Sequence, residues 1–183
     1  GQRRALARGD QQIVLPVEQE DQREGPAQPR DGLLGGVARG ETLARKGDTG
    51  AALREADAAE ALAKNPVMTE LDANGLPAPT LATIAAEVIR ARVEIGAGQF
   101  ESGIQRLESA TALQDGMYYS EPSFWYFPVR QMLGAALLMD GQAHRAEAVF
   151  IRALVDAPNN AWALYGLREA QEALGNEAAA KYA

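Results

Sequence analysis

The chain is 183 residues long, carries a net charge of −7 and contains no cysteine. Without cysteine there is no disulfide framework, no thiolate metal site and no cysteine nucleophile. The acidic balance leaves no basic stripe to neutralise phosphates, which argues against nucleic acid, and no apolar run approaches the ~18–20 residues that span a bilayer.

Apolar residues make up 46% of the chain, mostly Ala and Leu with few β-branched residues, a bias towards helix over sheet. The length suits one domain or a short repeat array. Lack of cysteine suits cytoplasm and periplasm equally. The opening on Gly1 rather than Met reads as a processed or trimmed piece.

Residues 1–30 read as an irregular, flexible leader: both charge signs, Pro16, Pro26 and Pro29, and no sustained helical period. Only Gln12-Ile13-Val14-Leu15 has strand character, and packing of the leader into a groove is the functional alternative. Residues 31–183 read as one repeat domain, and from Leu33 the pattern turns helical and stays so. It predicts helices over 33–46, 50–64, 79–97, 100–114, 125–139, 143–156, 161–174 and 177–182, paired into hairpins over about 33–64, 79–114, 125–156 and 161–183. Pro66, Pro77, Pro79 and Pro122 mark connections, because proline disfavours helix at the residue before it. Pro128 is expected in the first turn of its helix, where its missing N–H is harmless. Asn159-Asn160 supply a turn and an N-cap.

The hairpin turns are Lys46-Gly47-Asp48, Ala97-Gly98-Gln99, Asp140-Gly141-Gln142 and Leu174-Gly175-Asn176. Glycine suits the left-handed conformation that ends a helix. Gly141 and Gly175 lie 34 residues apart, and the earlier joints carry longer insertions. Five positions after each turn glycine come Ala52, Gly103, Ala146 and Ala180; twelve after, Ala59, Ala110 and Ala153. Close helix crossings demand such small side chains. Nine positions after come Ala56, Leu107 and Phe150, expected to plug the gap towards the next hairpin.

The stretch Leu133-Gly134-x-x-Leu137, Ala146-x-x-x-Phe150-x-x-Ala153, Pro158 resembles one unit of the tetratricopeptide repeat, with Leu137 in the usual tyrosine position. The Tyr118–Arg130 stretch, followed by LGAALL and by Asn159–Leu167, is similar to a group of bacterial tetratricopeptide proteins with a Y-x-E-P-P-x-W-Y-Y-P-V-R loop. Ser123 and Phe124 depart from that loop, and Gly36 and Arg39 make the first repeat degenerate. The resemblance covers the chain from Leu33 onward. It implies an all-α superhelix of about four helix pairs and a role in holding protein or peptide partners. The last helix, from Glu177, is about half the length of its equivalents, so the array reads as ending inside a unit.

Two candidate surfaces follow. Six of the eleven aromatic residues fall between Tyr118 and Phe127; they either seal the joint between repeats or contact a ligand. Trp125 and Phe127 are expected to face the core, Tyr118 and Tyr119 to be reachable, and Arg130 to pair with Glu121. The resemblance places the first helix of each pair on a concave face. That points to Glu41, Arg45, Val88, Arg92, Ile95, Gln131, Ala135, Leu138, Trp162, Tyr165, Glu169 and Glu172, apolar in the middle and acidic at the last unit. A short amphipathic helix or extended segment with a basic end fits that face. The Lys/Asn/Arg set that clamps a C-terminal carboxylate is missing.

His144 stands alone on a surface-facing position, too few ligands for a metal. No nucleophile elbow, phosphate loop or dinucleotide fingerprint occurs, so no enzyme and no cofactor are indicated. The expectation is a non-catalytic binding scaffold. The alternatives are a small-molecule receptor with an apolar pocket under the 117–127 loop, and a module that forms homo-oligomers through the leader or the shortened last repeat.

Overall fold

The computed structural model describes residues 29–125 and 127–182, so the expected leader falls almost entirely outside the described residues. What is described is an all-α stack of helical hairpins. The helices are α1 Pro29–Arg45, α2 Thr49–Ala63, α3 Pro66–Ala73, α4 Ala78–Gly96, α5 Phe100–Asp115, α6 Val129–Met139, α7 Ala143–Asp156, α8 Ala161–Ala173 and α9 Glu177–Ala180. Hairpins α1/α2, α4/α5, α6/α7 and α8/α9 pack in chain order, with α3 in the link between the first two.

The four hairpin turns share one geometry. Gly47, Gly98, Gly141 and Gly175 have φ of 79°, 77°, 74° and 76°, a region that favours glycine. In each, the following residue donates its N–H to the carbonyl five residues back: Asp48 to Leu43, Gln99 to Glu94, Gln142 to Leu137 and Asn176 to Gln171, at 2.8–3.0 Å. This bond satisfies a carbonyl that the helix end would leave open. The same turn chemistry therefore produces the same hairpin four times.

Small residues let the paired helices close up. Ala52, Ala146 and Ala180 are buried at the first crossing, and a Cβ on Gly103 would sit 2.6 Å from Ile95 Cγ1 and 3.1 Å from the Ala91 carbonyl. Ala59, Ala110 and Ala153 are buried at the second. Phe150 fills the joint between the third and fourth hairpins, with its ring against both Gly134 and Gly166. The core is continuous from Leu33 to Ala170 and is centred on α4, which is buried along most of its length and touches α1, α2, α3 and α5.

Three boundaries differ from expectation. Residues 66–73 form a helix inside what reads as a proline-marked connection. Asn65 caps it, its Oδ1 accepting from Val67 N at 2.9 Å, and Pro66 occupies the first turn. Met68 anchors it in the core. Helix α6 starts at Val129 rather than 125, because Pro128 is extended (ψ 121°) and caps the helix from outside instead of joining its first turn. The freed Val129 N–H is taken by Gln114 Oε1 of α5 at 2.8 Å. Helix α1 starts at Pro29, four residues early, since a proline in the first turn loses no hydrogen bond. Asn160 does cap α8, accepting from Ala163 N at 3.0 Å.

Candidate functional site

The first helices of the four hairpins share a face. Along it runs an apolar groove of about 630 Å³ lined by α1, α4, α6 and α8, with Leu107 and Phe150 reaching its floor from behind. The wall residues Ile95, Met132, Ala135, Leu138 and Met139 are apolar, and Trp162 and Tyr165 stand on the α8 rim. Both rim aromatics are well exposed, 69% and 54%, which is unusual for large rings in a helical stack.

The polar groups of the groove are few and ordered along its length. Arg45 and Arg92 lie at the α1/α4 end, Gln131 in the middle and Glu169 at the α8 end. Arg92 Nε is held by Glu41 Oε2 at 2.8 Å. Arg45 has no carboxylate partner among the described residues. Among the described residues Glu169 has only a 3.4 Å contact from Arg168, whose guanidinium also meets Glu172 and lies over the Tyr165 ring. Gln131 is 6% exposed and its Oε1 is buried without a hydrogen-bond partner among the described residues.

The sequence-predicted residues divide between two places. Arg92, Gln131, Leu138, Trp162, Tyr165 and Glu169 come together in the groove, as do Arg45, Ile95 and Ala135. Glu172 does not: it lies one turn further on, in a shallow surface depression with Gly175 and Lys181. Val88 points into the core and is fully buried, and Glu41 is buried as the partner of Arg92. Phe127, expected in the core, is half-buried and lines the groove.

Tyr118, Tyr119 and Trp125 lie away from the groove, on the loop after α5, and of the three only Trp125 lines the recess beneath it. Their loop folds over α3 and the start of α4 and encloses a recess of about 240 Å³ with Leu33, Met68, Leu71, Leu76 and Leu81. Trp125 is buried there at 2% exposure. Tyr118 donates its hydroxyl to the Gly75 carbonyl and meets Phe124 edge-on at 5.1 Å. Tyr119 remains 82% exposed and donates to Glu121. That contact raises the Tyr119 pKa, because the phenol's proton is shared with a carboxylate. Glu121 is therefore not the partner of Arg130, which pairs with Asp115 of α5 instead. The α5 end lies beneath the start of α6, whereas the loop carries Glu121 away over α3.

The loop–α3 contact was not legible in the sequence, since it joins two insertions 43 residues apart at Tyr118 and Gly75. Among the described residues no cluster of His, Asp and Glu is placed to hold a metal ion, and no helix is long and apolar enough to cross a membrane. His144 is exposed, 3.9 Å from Glu147. Comparison with protein-family models, with curated proteins and with solved structures found no match.

Proposed function

We propose that this chain is a non-catalytic scaffold of the tetratricopeptide type that docks an extended peptide segment of a protein partner in the groove of α1, α4, α6 and α8. The observation that carries the reading is Gln131, a buried carboxamide oxygen without a partner among the described residues, at the middle of an otherwise apolar groove. A helical occupant has its central N–H groups already bonded, whereas an extended main chain presents free N–H and C=O groups to a carboxamide. Trp162 and Tyr165 supply the rigid amphipathic contact area that anchors peptides. Support for the tetratricopeptide type comes from the 34-residue spacing, the four identical turns and the Gly134–Pro158 pattern.

The receptor alternative is weaker. The recess under the loop, at about 240 Å³, is smaller than the ~300–1,000 Å³ usual for small-molecule sites.

The test selects binders to the protein from a random 12-residue phage-displayed library. The selected peptides are expected to lose about tenfold in affinity with Gln131→Leu and again with Trp162→Ala, each about 1.4 kcal/mol. Unchanged affinity for both variants would sink the groove reading.

A further inference from the structure

We infer that the groove has an occupant within the same chain: residues Ile13-Val14-Leu15-Pro16-Val17, bound in extended form as an internal competitor of the partner segment. The inference rests on the groove reading above and adds an autoinhibitory function to it.

Three properties converge. The first is conformational. In the sequence, Pro16 disfavours helix at the residue before it and has no N–H to give a helix, and Ile13, Val14 and Val17 are β-branched. The segment is thus the kind of chain that a buried Gln131 carboxamide accepts. The second is charge order. Residues 1–12 hold Arg3, Arg4, Arg8 and Asp10, a net basic flank, and residues 18–24 hold Glu18, Glu20, Asp21, Arg23 and Glu24, a net acidic one. The groove is apolar in the middle, with Glu169 at the α8 end and, at the α1 end, Arg45, which has no carboxylate partner among the described residues. Only one direction matches both poles: the basic flank towards α8 and the acidic flank towards the C-terminal end of α1.

The third property is reach. That direction returns the chain from the Arg45 end to Pro29 alongside α1, whose 17 residues span about 25 Å at 1.5 Å per residue. The connecting residues 18–28 can extend about 36 Å at roughly 3.3 Å each. Binding within the chain is therefore sterically allowed, and it gains an effective concentration near the millimolar range. A weak segment then suffices to hold the groove against a dilute partner.

The chain lacks cysteine, so a pair of introduced thiols reports the contact in the full-length protein. Met139 lines the groove and is exposed, and Val67 is exposed on α3 away from it. Under mild oxidation, Leu15→Cys with Met139→Cys should form a disulfide within one chain at least tenfold faster than Leu15→Cys with Val67→Cys. Equal rates, or a disulfide that joins two chains, overturn the inference. A second measurement uses the library-selected peptides as probe. The variant Ile13→Ser/Val14→Ser/Leu15→Ser should bind them about tenfold more tightly than the unaltered chain. Equal binding by both overturns the internal competitor and leaves the groove reading standing. Binding that ignores Gln131→Leu and Trp162→Ala in either background removes the groove reading itself.

Discussion

Phe150 shows how single residues set the joint between repeats. An added Cβ on Gly166 would lie 2.2 Å from Phe150 Cζ, and one on Gly134 2.5 Å from the same atom. The ring is buried and held from both sides, so it has nowhere to retreat. Gly166→Ala is therefore expected to destabilise the protein by about 1–3 kcal/mol, as overpacking of a filled core does. Gly35 in α1 has nothing within 4 Å of its absent Cβ. Gly35→Ala should stabilise by roughly 0.5–1 kcal/mol, since alanine loses less backbone entropy in a helix. Urea unfolding of the two variants against the unaltered chain checks both signs. The sequence announces Phe150 as a plug through its register after Gly141. It does not announce Gly166, whose role appears only when the fourth hairpin is laid against the third.

At the scale of elements, an ion ladder ties α2, α4 and α5 together on the side away from the groove. Arg90 meets Asp57 at 2.8 Å and Glu60 at 2.6 Å, and Arg106 meets Glu94 at 2.6 Å and Glu87 at 3.2 Å. Lys64 also holds Glu60 at 2.9 Å. Hydrogen bonds from Lys64 and Arg90 lower the Glu60 pKa to about 2. A carboxyl whose folded pKa is depressed contributes stability above its unfolded pKa of about 4.3 and loses it as pH falls towards the folded value. Melting temperature should thus decline between about pH 4.5 and 2, and Glu60→Gln should flatten that decline while lowering stability only slightly at pH 7, as expected for an exposed pair. An unchanged slope would remove Glu60 as the titrating group. Helix α3 belongs to this scale as well. Asn65-Pro66 is a readable helix start, but flanking prolines at 77 and 79 disguise the segment as a link. Packing of Met68 and closure by the Tyr118 loop are what hold it.

At the scale of the molecule, the groove exists because four first helices, from distant parts of the chain, stand side by side. Its polarity, Arg45 at one end and Glu169 at the other, predicts a directional occupant. Glu169→Lys should weaken selected peptides with a basic flank by about three- to tenfold and spare those with a neutral flank, with the loss shrinking at high salt. Fluorescence anisotropy at two ionic strengths reads the difference. Glu172→Lys should do nothing comparable, because Glu172 lies outside the groove and against Arg168.

By itself the sequence determined the hairpins. Turn glycines, crossing alanines and helix periodicity are local or register-bound signals, and each acts within a few turns of its own position. The four left-handed turns and the buried Ala52, Gly103, Ala146 and Ala180 follow directly from them. Most of the groove residues were legible for the same reason, since register alone puts Arg92, Gln131, Leu138 and Trp162 on first helices. Tertiary structure alone decided which of those positions open to solvent and which close. Val88 was buried by neighbours on several sides, Glu41 by its pairing with Arg92, and Glu172 was turned out of the groove. It also decided the partners of Arg130 and Tyr118, because charge and ring contacts depend on distances between segments that no local pattern encodes.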